Sequence, residues 1–225
     1  MGKDNTPSVR QAAQLHRKKA NRASYDRILI VSEGSKTEPL YFGEIRQHFR
    51  LHTANVQVQP SGFGTQPLQV VEFAEQLFLK GDASKGIAPR AFEQVYAVFD
   101  RDDHATYYAA LSKAAALNKK LKSELGATVR FEAVASVPCF ELWLLLHFEE
   151  VLAPLHRSQV YVRLSQHLVT YSKGQVGQFA ATRQHLARAT ERAVQLAAQH
   201  NAHDGQQPFT DIYRLVDVLT SLKVR

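Results

Sequence analysis

The stretch "RILIVSEGSKTE", residues 27–38, runs a short apolar segment straight into a carboxylate, a glycine and a second carboxylate. Four apolar residues in succession read as a buried strand, and a run this short suits a strand better than a helix. The residues just past the strand decide where function sits. In open parallel α/β sheets ligands bind outside the carboxyl ends of the strands, so Glu33 and Gly34 are expected at a functional edge, as a base and a close-approach turn.

Working outward, "KTEPLYFGEIRQHFR" (36–50) predicts a helix with Pro39 tolerated in its first turn. A second strand is expected in "NVQVQP" (55–60), then the turn "SGFGT" with Thr65 capping a helix from about Gln66 to Lys80. "QVYAVFD" (94–100) predicts a third strand, followed by a helix over about Thr106–Leu125, and "TVRFEAVAS" (128–136) a fourth strand. This alternation predicts βαβ units and a mostly parallel sheet flanked by helices, an α/β fold. Later signals are helical: "CFELWLLLHFEE" (139–150), "QFAATRQHLARATERAVQLAAQH" (178–200) with Arg183, Arg188 and Arg192 on its polar side, and a terminal helix opened by Thr210-Asp211 with an apolar stripe through Ile212, Leu215, Val216 and Leu219. No strand is expected there. The expected organisation is a basic arm over 1–26, a core over 27–150 and a helical C-terminal extension over 151–225.

The composition excludes several classes. The chain has 225 residues, 44% of them hydrophobic, enough for a substantial core. No apolar run approaches the ~18 residues a spanning helix needs, and no signal-peptide core is evident, so a soluble protein without a membrane partner is expected. Cys139 is the single cysteine, which excludes an intrachain disulfide framework and fits a cytoplasmic location. Residues 1–27 carry seven Lys/Arg against Asp4 and Asp26, so five of the seven net positive charges lie there. Arg17, Lys18, Lys19 and Arg22, with Lys36 further on, are candidate contacts to a phosphate backbone; a solubilising leader is the plainer reading of the arm.

Three of the four predicted strands deliver acids to one edge: Glu33 after the first, Asp100 with Asp102 and Asp103 in "DRDDH" after the third, and Glu141 through "SVPCFE" after the fourth. Carboxylates in one crevice repel unless protons or a hard cation compensate. Magnesium takes oxygen ligands and is usually held by one or two carboxylates together with substrate phosphates. Either motif alone could be an ordinary turn or a solvated loop; both together, at strand ends and far enough apart for two crossover units, favour a metal site. An EF-hand fails, because Ala105 and Leu111 stand where glycine and glutamate are required. A P-loop fails, because Ser35 separates Gly34 from Lys36. An aspartyl-phosphate enzyme using Asp100 and Asp102 stays open, although it leaves Glu33 without a task. Glu38 is explained equally well by the helix dipole. His104 could assist the acids, whereas His147 and Trp143 read as core.

The segments "ILIVSEGSKTEPLYF" and "VYAVFDRDDH" resemble the metal-binding core of the Toprim fold of primases, topoisomerases and OLD-family nucleases. Together with "SVPCFELWLLLHFE" and "PFTDIYRLVDVL" they look like the RloB family of bacterial phage-defence proteins, over roughly residues 27 to 220. The resemblance implies a Toprim-like sheet and a magnesium-dependent nuclease, with manganese as a substitute. Glu33 would be the general acid/base or a ligand, Asp100 and Asp102 ligands, and Glu38, Asp103 and Glu141 further candidate acids. It also implies action in anti-phage defence on RNA, with tRNA foremost, in preference to DNA, and a separate ATPase chain as partner. A homo-oligomer stays open. The alternative is a non-catalytic module on the same scaffold that binds nucleic acid or the ATPase.

Overall fold

The computed structural model describes residues 26–169 and 171–222. Its centre is a five-stranded sheet in the order β2-β1-β3-β4-β5, built from β1 (Ile28–Ser32), β2 (Val56–Pro60), β3 (Gln94–Asp100), β4 (Arg130–Val137) and β5 (Phe209–Thr210). The first four strands are parallel; β5 lies antiparallel on β4. Helices α1 (Thr37–His48), α2 (Pro67–Lys80) and α3 (Tyr107–Leu117) link the parallel strands, and α4 (Glu141–Leu146), α5 (Arg157–His167), α6 (Gln178–Thr182), α7 (Leu186–Gln199) and α8 (Ile212–Ser221) come after them. From β1 the chain steps outward to β2, then returns across β1 to β3. The strand order therefore reverses between β1 and β3, and at such a reversal the connections leave in opposite directions and open a crevice at the carboxyl ends.

Every residue of β1 is buried, as a central parallel strand requires. Its side chains alternate between two cores. Ile28 and Ile30 join Tyr96, Val98 and Val134 against α1 and the later helices, while Leu29 and Val31 join Val95, Ala97 and Phe99 against α2 and α3. The first core includes Leu164, Ala189, Leu196 and Leu215, so the segments beyond residue 150 pack on the same sheet face as α1. One bond anchors this face: the Trp143 Nε1–H donates to the Tyr41 hydroxyl at 2.8 Å, satisfying the polar atoms of two fully buried rings.

Several local expectations need correction. The late strand β5 has no counterpart in the sequence pattern; it is two residues long, held by pairing of Val137 with Phe209 and Ser136 with Thr210, too short to leave a periodic signal. The helix expected over Thr106–Leu125 stops at Leu117, because Lys119 adopts φ +61° and Lys122 bridges to Thr128. The helix at 139–150 contracts to α4. The long helix at 178–200 is interrupted by a 3₁₀ turn at Arg183–His185, and Arg192, instead of lying purely on the polar side, donates to the Leu146 carbonyl at 2.7 Å. Thr65 does not cap α2; Gln66 is the cap, its N–H donating to Gln69 Oε1. The expected phosphate contacts Arg17, Lys18, Lys19 and Arg22 lie outside the described residues. Among the described residues no helix is long and apolar enough to cross a membrane.

Candidate functional site

The carboxyl ends of β1 and β3 fix the first acid. The Glu33 N–H continues the ladder by donating to the Val98 carbonyl at 2.9 Å. Its side chain then reaches across to the end of β3: Oε2 accepts the Asp100 N–H at 3.0 Å, and Oε1 lies 3.2 Å from His104 Nε2. His104 thus joins the acids, as its place in "DRDDH" suggests. Gly34 has a specific reason to lack a side chain. A Cβ there would overlap the carboxylate of Glu38, so the close approach that the glycine permits is that of the protein's own second acid. Glu38, in the first turn of α1, is 5% exposed.

At the end of β3 the chain turns sharply. The Arg101 N–H donates to the Ser136 carbonyl at 2.8 Å and the Asp102 N–H to the Pro138 carbonyl at 3.0 Å, so the loop is sewn to the end of β4. Asp102 takes φ +36°, a left-handed conformation costly for a residue with a Cβ. Its Oδ2 accepts from Arg157 at 2.8 Å, while its Oδ1 is buried without a hydrogen-bond partner. Asp103 is exposed at the rim. Glu141, at the start of α4, is 1% exposed; its Oε1 accepts from the Tyr171 hydroxyl at 2.8 Å, and its carboxylate also faces the buried Cys139 thiol.

These acids act on one another. Asp100 is pushed well above the usual carboxylate range, first by burial and then by repulsion from Glu38, Glu141, Glu33 and Asp102. Burial, reinforced by Glu141 and Glu33, lifts Glu38 to about 7. Glu33 is also raised by burial, against the pull of the Asp100 N–H and His104. Asp102 is raised by burial and held back chiefly by Arg157. Glu33, Glu38, Asp100 and Asp102 line one cleft of about 570 Å³, whose other walls carry Thr65 and the cations Lys36, Arg157 and Lys173. Glu141 lies outside this lining, coupled to the cleft by its charge.

Sequence reasoning missed Arg157, Tyr171 and Lys173. Arg157 opens α5 behind a capping box, in which the Ser158 N–H donates to His156 Nδ1 and the His156 N–H to Gln159 Oε1. Lys173 is carried in by a turn whose Gly174 N–H donates to the Thr37 hydroxyl at 3.1 Å. Neither segment has a motif; a capping box with histidine in the serine position is the only local signal for α5.

Among the described residues no three His, Cys, Asp or Glu side chains are drawn together as a ready-made metal cage. Magnesium does not demand one: it keeps several waters and takes one or two carboxylates plus phosphate oxygens. The unpartnered Asp102 Oδ1, the mutual repulsion around Asp100 and the all-oxygen donor set fit a hard divalent cation better than a soft one.

Neither the curated proteins nor the solved structures contain a match to this chain. The family model described as "RloB-like protein" matches residues 28–219. That match spans β1 through most of α8 and includes each acid of the cleft, and the chain belongs to the RloB-like family.

Proposed function

We propose that this protein is a magnesium-dependent nuclease with a Toprim-like sheet, acting on RNA in preference to DNA as an effector of anti-phage defence. The observation that carries the reading is the concentration of acids from the ends of β1 and β3, joined by Glu38 of α1, at the β1/β3 switch point, in a cleft whose rim is cationic. Acids inside and cations outside suit a substrate whose phosphates need both a bound divalent ion and direct neutralisation. Asp100, Asp102 and Glu33 would hold the ion, with Glu38 beside them. Bound there, magnesium would polarise the phosphodiester and lower the pKa of a coordinated water.

The chain's own residues supply the rest. Glu33 is oriented by the Asp100 N–H and by His104, and burial keeps its carboxyl closer to neutral pH than an ordinary glutamate, which suits a group that takes up and returns a proton. Lys36, Arg157 and Lys173 line the same cleft and would neutralise flanking phosphates. The defence role rests on the family resemblance, and the preference for RNA on analogy with Toprim effectors of defence systems.

The Arg157–Asp102 ion pair favours a second reading, a non-catalytic cleft that binds nucleic acid or a partner ATPase. Incubation with pooled RNA and DNA separates the two. A nuclease cleaves one pool with magnesium or manganese, stops with a chelator and is silenced by Glu33→Gln. Binding without cleavage in every metal would establish the module instead.

A further inference from the structure

Beside the acid cleft lies a second cavity of about 470 Å³, lined by Tyr161, Val162, Ser165 and Tyr171, with Arg157 and Lys173 shared between the two. Its surface is largely apolar, and Val162 is 61% exposed at its edge. Both tyrosine hydroxyls are turned to the protein. That of Tyr171 donates to buried Glu141, and that of Tyr161 is buried against the Arg157 guanidinium. The cavity is therefore offered aromatic rings without their polar tips, and two cations mark its junction with the cleft.

A ring-lined apolar pocket with two cations where it meets the acid cleft matches one chemical unit, a nucleoside attached to a phosphate. Base–aromatic stacking tolerates any base, because every base has a π-face. Resting on the proposal that the acid cleft handles nucleic acid, we propose that this cavity is a stacking subsite for one unpaired nucleobase of a single-stranded substrate, its own phosphate held by Arg157 and Lys173 and the next phosphate directed into the acid cleft. An apolar peptide segment would need no cations at the mouth, and a duplex would keep its bases out of reach. Tyr171 also couples the two cavities, because its ring is fixed by the hydroxyl bond to Glu141 beneath the acids.

The test is binding, measured by fluorescence anisotropy on the full chain with chelator present, so that cleavage does not enter. The probes are short labelled single-stranded RNA and DNA of mixed sequence, and the same strands with one abasic position moved along them. Tyr161→Ala is expected to weaken binding about tenfold, the scale of one lost base–aromatic stack, while Tyr161→Phe keeps the ring and loses far less, because the hydroxyl faces Arg157 and not the base. One abasic position should weaken parent binding and leave Tyr161→Ala unaffected. Thermal melts check that both variants fold. Equal binding by Tyr161→Ala and parent, an equal loss in Tyr161→Phe, indifference to every abasic position, or a parent that binds none of the strands would each overturn the subsite. Cleavage is scored separately: ring-dependent binding without cleavage keeps the subsite and removes the nuclease, and cleavage without ring dependence does the reverse.

Discussion

The two ends of one sheet treat buried charge in opposite ways. At the amino ends of β1 and β3, Arg27 is 7% exposed and its guanidinium donates to Glu93 Oε1 at 2.7 Å and to Glu124 Oε1 at 2.6 Å. Burial alone would raise the Glu93 carboxyl, but its several bonds to Arg27 together outweigh burial and hold it below its ordinary value. At the carboxyl ends, Glu33, Glu38, Asp100 and Glu141 act on one another with cations only around the rim, and burial with repulsion pushes Asp100 and Glu38 upward. The first end is electrostatically complete, so its charges close the sheet. The second lacks positive charge at its centre, which leaves the repulsion among its acids uncompensated, the condition that the proposed function would relieve with a cation.

The largest expected effect separates the ends by activity. If the protein is the proposed nuclease, Asp100→Asn or Glu33→Gln lowers cleavage by at least about 100-fold, while metal-free Asp100→Asn melts no lower than the parent because a group repelled by its neighbours has lost its charge. Glu93→Gln should leave cleavage per folded molecule unchanged. If Asp100→Asn instead melts clearly lower and cleaves normally, the acids are structural and the contrast collapses.

The pH dependence should differ in sign. Glu38 rises from an ordinary 4.5 to about 7, so the native state keeps a proton that the unfolded chain has released. Its stabilising share is complete below 4.5 and is lost as pH rises to about 7, a loss of roughly 3 kcal/mol for a shift of this size. Glu93 is lowered, so its contribution is present above 4.5 and is lost as pH falls through the lower folded value. Metal-free melts across about pH 2 to 8 check both limbs. Glu38→Gln should flatten the neutral limb and Glu93→Gln the acid one; a neutral limb that Glu38→Gln leaves unchanged would count against a proton held there.

Next in size, Glu93→Gln should destabilise by about 1–3 kcal/mol in urea titrations, because Arg27 keeps its burial and loses a charged partner. Magnesium should stabilise the parent by about 1.4 kcal/mol at ten times its dissociation constant. Glu93→Gln should show the same gain and Asp100→Asn little of it. The smallest effect belongs to the rim: Lys36→Gln should weaken nucleic-acid binding modestly and reduce the salt slope by about one. An unchanged slope would remove Lys36 from the phosphate path.

Features that depend on near neighbours are legible in the chain alone. Buried parallel strands are continuous apolar runs, so β1, β3 and most of β4 are recognisable, and the acids at their ends come with them. The requirement for glycine at 34 is also visible, although not its cause, since only the folded chain brings the Glu38 carboxylate over that backbone. His104 is legible because it shares a loop with Asp102.

Arg157, Tyr171 and Lys173 are not legible. α5 contributes only Val160 and Leu164 to the interior, too few to show a helical stripe. The bonds that place the later segments join positions far apart: Arg157 to Asp102, Tyr171 to Glu141, and Gly174 to Thr37. A strand end inherits its place from a hydrophobic run a few residues long, whose burial is a local property of composition. A side chain delivered from the far third of the chain inherits its place from how several helices pack on one sheet face. That depends on the shape of the joint core, which no short stretch of sequence contains.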